Sequence, residues 1–397
     1  MYIADLHIHS KYSRATSKEC VPEYLELWAR KKGISLLGTG DFTHPAWRKE
    51  LWEKLEPAEP GLYTLKKEFQ FPEGPDAQST SVRFVVTGEI SSIYKKNGKV
   101  RKVHNLILLP SLEAAEELSR RLELIGNIHS DGRPILGLDS RDLLETALEA
   151  APEAVFIPAH IWTPHFSLFG AFSGFDSIEE CFEDLTPHIH ALETGLSSDP
   201  PMNWRISALD SYTLISNSDA HSPAKLGREA NLLETELSYS ELANAIQGRN
   251  PDGLLGTIEF FPEEGKYHYD GHRNCHLCLK PSETEQYGGR CPICGKKITI
   301  GVQHRVEQLA DRPEGFVKPN GKAFESLVPL PEVIAASTSH SPASVKVLAQ
   351  YEAMLKRLGS EFSILRETPL EEIGKAAGPC IQELSLIHIS EPTRPLY

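Results

Sequence analysis

The 397-residue sequence contains no apolar run approaching the roughly 20 residues a membrane-spanning helix requires, so no membrane partner is expected. It shows no basic-then-apolar leader: MYIADLHIHS runs straight into a strand-like segment, and no signal peptide is expected. Cysteine is too thinly spread for a disulfide framework. Cys20, Cys181 and Cys380 are scattered, and the other four of the 7 fall in two CxxC pairs, which fits metal binding in a reducing compartment such as the cytoplasm. Positive charge is not in excess: 41 Lys+Arg against 55 Asp+Glu give −14, which excludes an all-round basic surface. The deficit is local, because residues 1–264 hold 25 against 40 whereas residues 265–325 hold 10 against 7. Divalent ions bound in the acidic segment would offset several carboxylates, so nucleic acid is not excluded as a partner. Internal repeats and long low-complexity tracts are also lacking.

What is present over residues 1–264 is alternation. ISLLGTGD, RFVVTGEI, VHNLILLP, AVFIPAH, IHALETG, YTLISNSD and DGLLGTIEF read as strands. PEYLELWARKKG, SLEAAEELSRRLELIG, SRDLLETALEA, SIEECFEDL and SYSELANAIQG read as amphipathic helices, several closing on glycine. Such alternation predicts an α/β domain with a parallel or barrel-like sheet. LEPAEPG and FPEGPDAQSTS read as loops. Residues 265–325 change character around the cysteine pairs, and residues 326–383 read as a small helical domain containing SPASVKVLAQYEAMLKRLG. The terminal LSLIHISEPTRPLY fits nothing before it. Residues 384–397 are expected to be a non-native read-through tail and are set aside.

Chemistry is carried by imidazoles and carboxylates at or just past the strand-like runs: His7 and His9, Asp41, Glu89, His104, His160, and Asp219 with His221. In a barrel of parallel strands those ends converge on one face. Imidazole and carboxylate without thiolate suit Zn, Mn or Fe, with room for several ions. Any one of these residues alone could be an ordinary buried polar group; HxH, a Glu, two later His and DxH in this order are hard to produce by accident. Separately, Cys275, Cys278, Cys291 and Cys294 form CxxC…CxxC, a set able to close a tetrahedral structural Zn site, with His272 and His276 as competing ligands. Asn97-Gly98 predicts a tight hairpin between Glu89 and His104, flanked by Lys95, Lys96, Lys99, Arg101 and Lys102. Its tip is expected to overhang the metal site as a phosphate clamp or else to be a solvated charged hairpin. The stretch HIWTPHFSLFGAFSGFDS carries Trp162, Phe166, Phe169, Phe172 and Phe175 among small residues, and reads as a base-stacking loop or as core. Arg205, after a proline-stiffened loop, would hold a phosphate or pair with a local Asp.

DLHIHS, TGE and SDAH in this order resemble the PHP (polymerase and histidinol phosphatase) superfamily. With CxxC…CPxCG, GVQHRVEQLADR, AHIWTPHFSLFGAFSGFDSIEECF and SDPPMNWR, the chain to about residue 380 resembles the endonuclease Q family. The resemblance implies a distorted (βα)7 barrel, a zinc ribbon and a C-terminal helical domain. It implies metal-dependent incision of DNA 5′ of hypoxanthine, uracil, xanthine or an abasic site, leaving 3′-hydroxyl and 5′-phosphate ends. Divalent ions (Zn, Mn, Mg or Fe) would be held by the eight residues above, with Asp219, Glu89 and His160 as the catalytic residues and the first two as metal bridges. TDH, common in that superfamily, reads GDFTH here, which makes Asp41 the expected ligand and His44 a neighbouring acid or a support behind the ligands. Lys96, Lys99, Arg101, Lys102, Trp162, Phe166, Phe169, Phe172 and Arg205 are the expected DNA or lesion contacts, and a sliding clamp is a further candidate partner. A phosphatase of small monoesters and a non-catalytic nucleic-acid-binding protein are the rival readings.

Overall fold

A computed structural model describes residues 1–71, 81–378 and 381. Most of FPEGPDAQSTS, Cys380 and the 384–397 tail lie outside the described residues.

Seven strands form the ring that carries the proposed ligands: β1 (Tyr2–Asp5), β2 (Leu36–Gly38), β3 (Arg83–Lys96), β4 (Lys99–Leu109), β5 (Val155–Pro158), β6 (Ala191–Glu193) and β7 (Thr213–Ile215). β1–β2, β2–β3 and β6–β7 are parallel, whereas β4 runs antiparallel to both β3 and β5. The ring is held across β5 and β6 by the Ile161 N–H to the Glu193 carbonyl at 3.0 Å. It closes where Ile8 bridges Ala220 in parallel. Each strand buries at least one apolar residue in a shared cluster (Ala4, Leu36, Val85, Leu106, Ile157, Ala191 and Ile215 among them), so the ring has a packed interior. The residues do not all run one way, as an ordinary (βα) barrel would require. The reason is local: Asn97 and Gly98 both take positive φ (53° and 73°), the two-residue turn that reverses a chain within a hairpin. That turn pairs Lys96 with Lys99 and makes β4 antiparallel.

A branch leaves the ring at β1, where β8 (Ala230–Leu233) pairs antiparallel, followed by β9 (Leu254–Glu259). β8 was not expected from the sequence; ANLL is too short to show a pattern. β10 (Ala323–Ser326) then adds in parallel to β9, so the end of the 265–325 segment is woven into the barrel sheet. The expected helices form at Pro22–Lys32, Leu112–Glu123, Ser140–Ala150, Ile178–Phe182 and Tyr239–Ile246. Ser111, Ser177 and Ser238 each accept the N–H three residues on, which satisfies a backbone donor the first turn leaves free. LEPAEPG is not wholly loop: Leu55–Pro57 pairs with Tyr63–Leu65.

Four helices, Leu330–Thr338, Val345–Leu358, Glu361–Arg366 and Leu370–Ala377, share a separate core around Ile334, Tyr351, Met354 and Ile364. Glu361 ties this unit to the barrel. Its carboxylate accepts from Leu330 N–H at 3.0 Å, Tyr351 O–H at 2.7 Å and Lys32 Nζ at 2.6 Å, with both Lys32 and Glu361 almost fully buried. None of the described helices is long and apolar enough to cross a membrane.

Candidate active site

The strand geometry explains why the proposed ligands meet. His7 and His9 are two apart along an extended segment and share a face. Ser91 lies directly opposite His104 in the β3–β4 ladder, and Glu89 shares the face of Ser91, so Glu89 and His104 become neighbours. His160, Asp219 and Asp41 follow β5, β7 and β2, all at positive φ (30°, 47° and 50°), conformations that non-glycine residues adopt at a cost. Gly195 leaves room for this: a Cβ there would lie 2.5 Å from that of His160.

Glu89 is the hub. Its Oε1 lies 2.6 Å from His104 Nδ1 and 2.9 Å from His160 Nε2. Its Oε2 lies 3.4 Å from His9 Nε2 and 3.7 Å from His7 Nε2. Asp219 Oδ1 faces the same two imidazoles at 3.0 and 3.8 Å. Three overlapping groups able to hold an ion result: His7–His9–Glu89, Glu89–His104–His160, and His9–Asp219–His221. His9 belongs to two of them, but its Nδ1 is occupied by Asp41, so its Nε2 can serve only one ion. Two sites are therefore well furnished and the third is short of ligands.

The residues fit metal on their own chemistry. His7 Nε2 is buried with no hydrogen-bond partner, and its nearest carboxylate oxygens are too distant for a hydrogen bond. Around an ion, ligand atoms about 2.1 Å from the centre stand roughly 3–3.5 Å apart. The titration pattern agrees. Burial disfavours charge on His9, yet Asp41 and Asp219 outweigh it and lift the pKa to about 9. Burial takes His104 down to about 4 against the pull of Glu89. Glu89 and Asp219 are held well below the carboxylate range despite burial, chiefly by His104 and Arg133 for the first and by His9 and His7 for the second. Carboxylates that stay ionised beside imidazoles holding displaceable protons form a site that exchanges protons for cations.

One expected ligand is placed differently. Asp41 is not in any of the three groups. Its Oδ1 lies 3.0 Å from His9 Nδ1, while its Oδ2 accepts from Ser10 N–H (2.7 Å), Ser10 O–H (2.6 Å) and Ser13 O–H (2.8 Å). Asp41 stands behind His9 and aims it. Glu193, which the sequence reading missed, does the same for His7: both oxygens lie 3.0 Å from Nδ1, and the carboxylate also accepts from Asn217 and the His160 N–H. Its only signal was an acid closing a strand, as in TGE. His44 turns away, with Nε2 on the His129 carbonyl and its ring stacked on Tyr12. Arg133 was also missed; its Nη1 lies 3.0 Å from Glu89 Oε2.

A cavity of about 610 Å³ opens beside the cluster, lined by His104, Arg133, His160, Phe166, Asp219 and Tyr267 among others. Of the expected lesion contacts, only Phe166 lines it; its ring lies 4.8 Å from that of His104 and beneath Lys102 Nζ. Trp162 and Phe169 are core residues instead, 1% and 3% exposed and packed on each other, with Trp162 Nε1–H donating to Asn203. Their rings have no face left for a base. Lys96 is committed to Asp139 and Glu183 at 3.1 and 2.8 Å. Arg101 is buried on the Phe175 ring and donates to the Gly174 carbonyl, so neither cation is a free clamp. The hairpin tip at Asn97-Gly98 begins eight residues beyond Glu89, about 26 Å along the strand. There Lys99 and the exposed, His165-stacked Phe172 line a second cleft of about 570 Å³. Arg205 lines neither cavity, and its Nε is buried without a partner.

The thiol site differs by one ligand. His272, Cys275, Cys291 and Cys294 cluster, and Cys278 is exposed outside the group. In the hairpin Asp270–His272 with Leu277–Leu279, His272 pairs with Leu277 while Cys278 pairs with Gly271. Side chains alternate along a strand, so Cys278 points to the opposite face from His272. Three thiolates and an imidazole still make a tetrahedral structural zinc set.

Comparisons with known proteins bear on this architecture. A family model described as the MJ0043 C-terminal domain matches residues 329–383. The crystal structure of the lesion-specific endonuclease PfuEndoQ from Pyrococcus furiosus is 31% identical with a TM-score of 0.84, covering 98% of this chain and 90% of that one. A structure of endonuclease Q with a 27-mer duplex bearing an abasic lesion at the active site is 30% identical, also at 0.84, covering 97% and 91%. Protein YqxK of Bacillus subtilis (strain 168) is 29% identical over 392 residues, covering 95% of this chain and 91% of that protein.

Proposed function

From its membership of the endonuclease Q family, to which this chain belongs, we propose that this metal-dependent hydrolase is a DNA-repair endonuclease incising 5′ of a lesion. The lesions would be hypoxanthine, uracil, xanthine or an abasic site, and the products 3′-hydroxyl and 5′-phosphate ends. The observation that carries the reading is Glu89, whose two oxygens serve two different imidazole pairs at the edge of a cavity large enough for a nucleotide. Divalent ions held there by His7, His9, Glu89, His104, His160, Asp219 and His221 would activate water and offset charge on the phosphate and its leaving oxygen.

The chain's own residues do the rest. Asp41 and Glu193 fix the imidazoles of His9 and His7, so their Nε2 atoms face Glu89 and Asp219. Arg228, held on the Ser218 carbonyl, and Lys266 add positive charge to the cavity wall. Phe166 offers one apolar surface on which an extruded base could stack. Deaminated and abasic sites pair weakly and unstack at lower cost, which favours them over intact pairs. The division of labour follows: residues 1–264 carry the proposed ligands, Lys266 and Tyr267 of the zinc segment 265–325 add to the cavity wall, and the helices between Leu330 and Ala377 flank the barrel.

The test is a denaturing-gel incision assay with Mn2+ or Mg2+ on end-labelled duplexes carrying one hypoxanthine, uracil, xanthine or abasic site. Undamaged duplex and an Asp219→Ala protein run beside them. A single cut 5′ of the lesion, absent in the variant, is expected. Hydrolysis of a generic phosphate monoester with no cut on any duplex would instead assign the site to a phosphatase, and lesion binding without incision to a non-catalytic DNA-binding protein.

A further inference from the structure

Arg133 comes from a loop with no periodic signal, yet the fold mounts it firmly. Gly132 N–H donates to the Tyr12 carbonyl at 3.0 Å, and its own carbonyl accepts from Thr43 O–H. Pro134 accepts from Ser91 N–H, and the Asp131 carboxylate accepts from Arg133 N–H at 3.1 Å. Only glycine fits at 132, where a Cβ would sit 2.2 Å from Asp41 Oδ2. The loop is thus locked against the same Asp41 that aims His9.

The mount delivers a guanidinium to Glu89, with Nη1 3.0 Å from Oε2. Among the described residues this is its only side-chain hydrogen bond, and it uses one of five N–H donors. The side chain is 26% exposed, on the wall of the 610 Å³ cavity beside His104, His160 and Asp219. A permanent cation facing ions that share the same carboxylate is repelled by them unless an anion also enters. A guanidinium fork matches phosphate oxygens in particular.

We propose that Arg133 is a catalytic residue that joins Glu89 to a non-bridging oxygen of the phosphate being cut, stabilising the charge that builds there. One N–H orients the shared carboxylate, and the remaining donors bind the substrate. This rests on the endonuclease reading above, with the phosphodiester as the bound group.

The experiment compares full-length wild type, Arg133→Gln and Arg133→Lys. Lesion-duplex binding is measured by fluorescence anisotropy in Ca2+ across a salt series, single-turnover incision in Mn2+, and Mn2+ binding to DNA-free protein by calorimetry. Arg133→Gln should lower the slope of log affinity against log salt by about 1, the signature of one lost phosphate contact. Incision should fall about 10²–10³-fold, the cost of removing one charge-stabilising donor. Arg133→Lys should keep the slope and lose most of the rate, because it retains charge without the fork. The stoichiometry of Mn2+ binding should not change. An unchanged slope together with weakened Mn2+ binding would overturn the proposal and leave Arg133 a positioning residue for Glu89. Wild type that cuts no duplex would remove the endonuclease reading and the proposal together; wild type that cuts, with an unaltered Arg133→Gln, would remove the proposal alone.

Discussion

Asp41→Asn separates a residue that binds metal from one that aims a residue that does. In the structure all the acceptor capacity of Asp41 is taken: His9 Nδ1 on one oxygen, and two hydroxyls and an N–H on the other. Asn offers one oxygen, so its NH2 group must face either His9 or the Ser10–Ser13 donors. His9 loses its fixed tautomer and part of its basicity. Partners of this kind are worth about 10–100-fold in metal affinity, or about 1.4–2.8 kcal/mol. A second readout follows from charge. Wild-type His9, lifted to about 9, must shed a proton to bind an ion at pH 8. With Asp41 neutralised, His9 titrates lower and fewer protons are released. The assay is Mn2+ calorimetry in two buffers of different ionisation heat, which yields affinity, stoichiometry and proton release together. Weaker binding at unchanged stoichiometry, with reduced proton release, is expected. Loss of one whole ion would refute the placement behind His9 and restore Asp41 as a ligand.

Cys278→Ser should leave the zinc content of the purified protein unchanged, whereas Cys294→Ser should lower it; equal losses by colorimetric zinc release would sink the His272 assignment. Lys32→Met strands the buried Glu361 carboxylate and should cost about 3–5 kcal/mol, read as a lowered unfolding midpoint in urea; a shift under about 1 kcal/mol would mean that water reaches the pair. Phe169→Ala should cost about 3–5 kcal/mol as a core cavity, while the 41%-exposed Phe172→Ala should be nearly neutral for stability and testable for DNA affinity. In metal-free protein, the His9 contribution to stability is fully present below about pH 6.5 and fades as pH rises through about 9, because its folded pKa is the higher one. Thermal midpoints that climb over that range would contradict it.

The sequence by itself determined the chemistry and its approximate location. HxH, His160 and SDAH specify imidazole and carboxylate just past strands, whereas Glu89 of TGE lies inside the long β3 and His104 inside β4; a strand's two-residue period puts His7 and His9 on one face whatever surrounds them. Asn97-Gly98 dictated the hairpin, because its turn geometry is intrinsic to those two residues. What only the tertiary structure decided is which groups touch the centre and which stand behind. Asp41 and Asp219 carry the same local signature, an acid at positive φ just past a strand. One is turned to His9 Nδ1 and two serines, the other to His9 Nε2, and that depends on which loops pack beside them. Trp162, Phe166, Phe169 and Phe172 share one loop, yet burial removes the first and third from any role at a surface. Cys278 lost its place to His272 through strand parity, and Arg133 arrived from a loop held by Tyr12 and Thr43, both over 80 positions away, and by Ser91. Ligand type is a property of the residue; ligand direction is a property of everything packed around it.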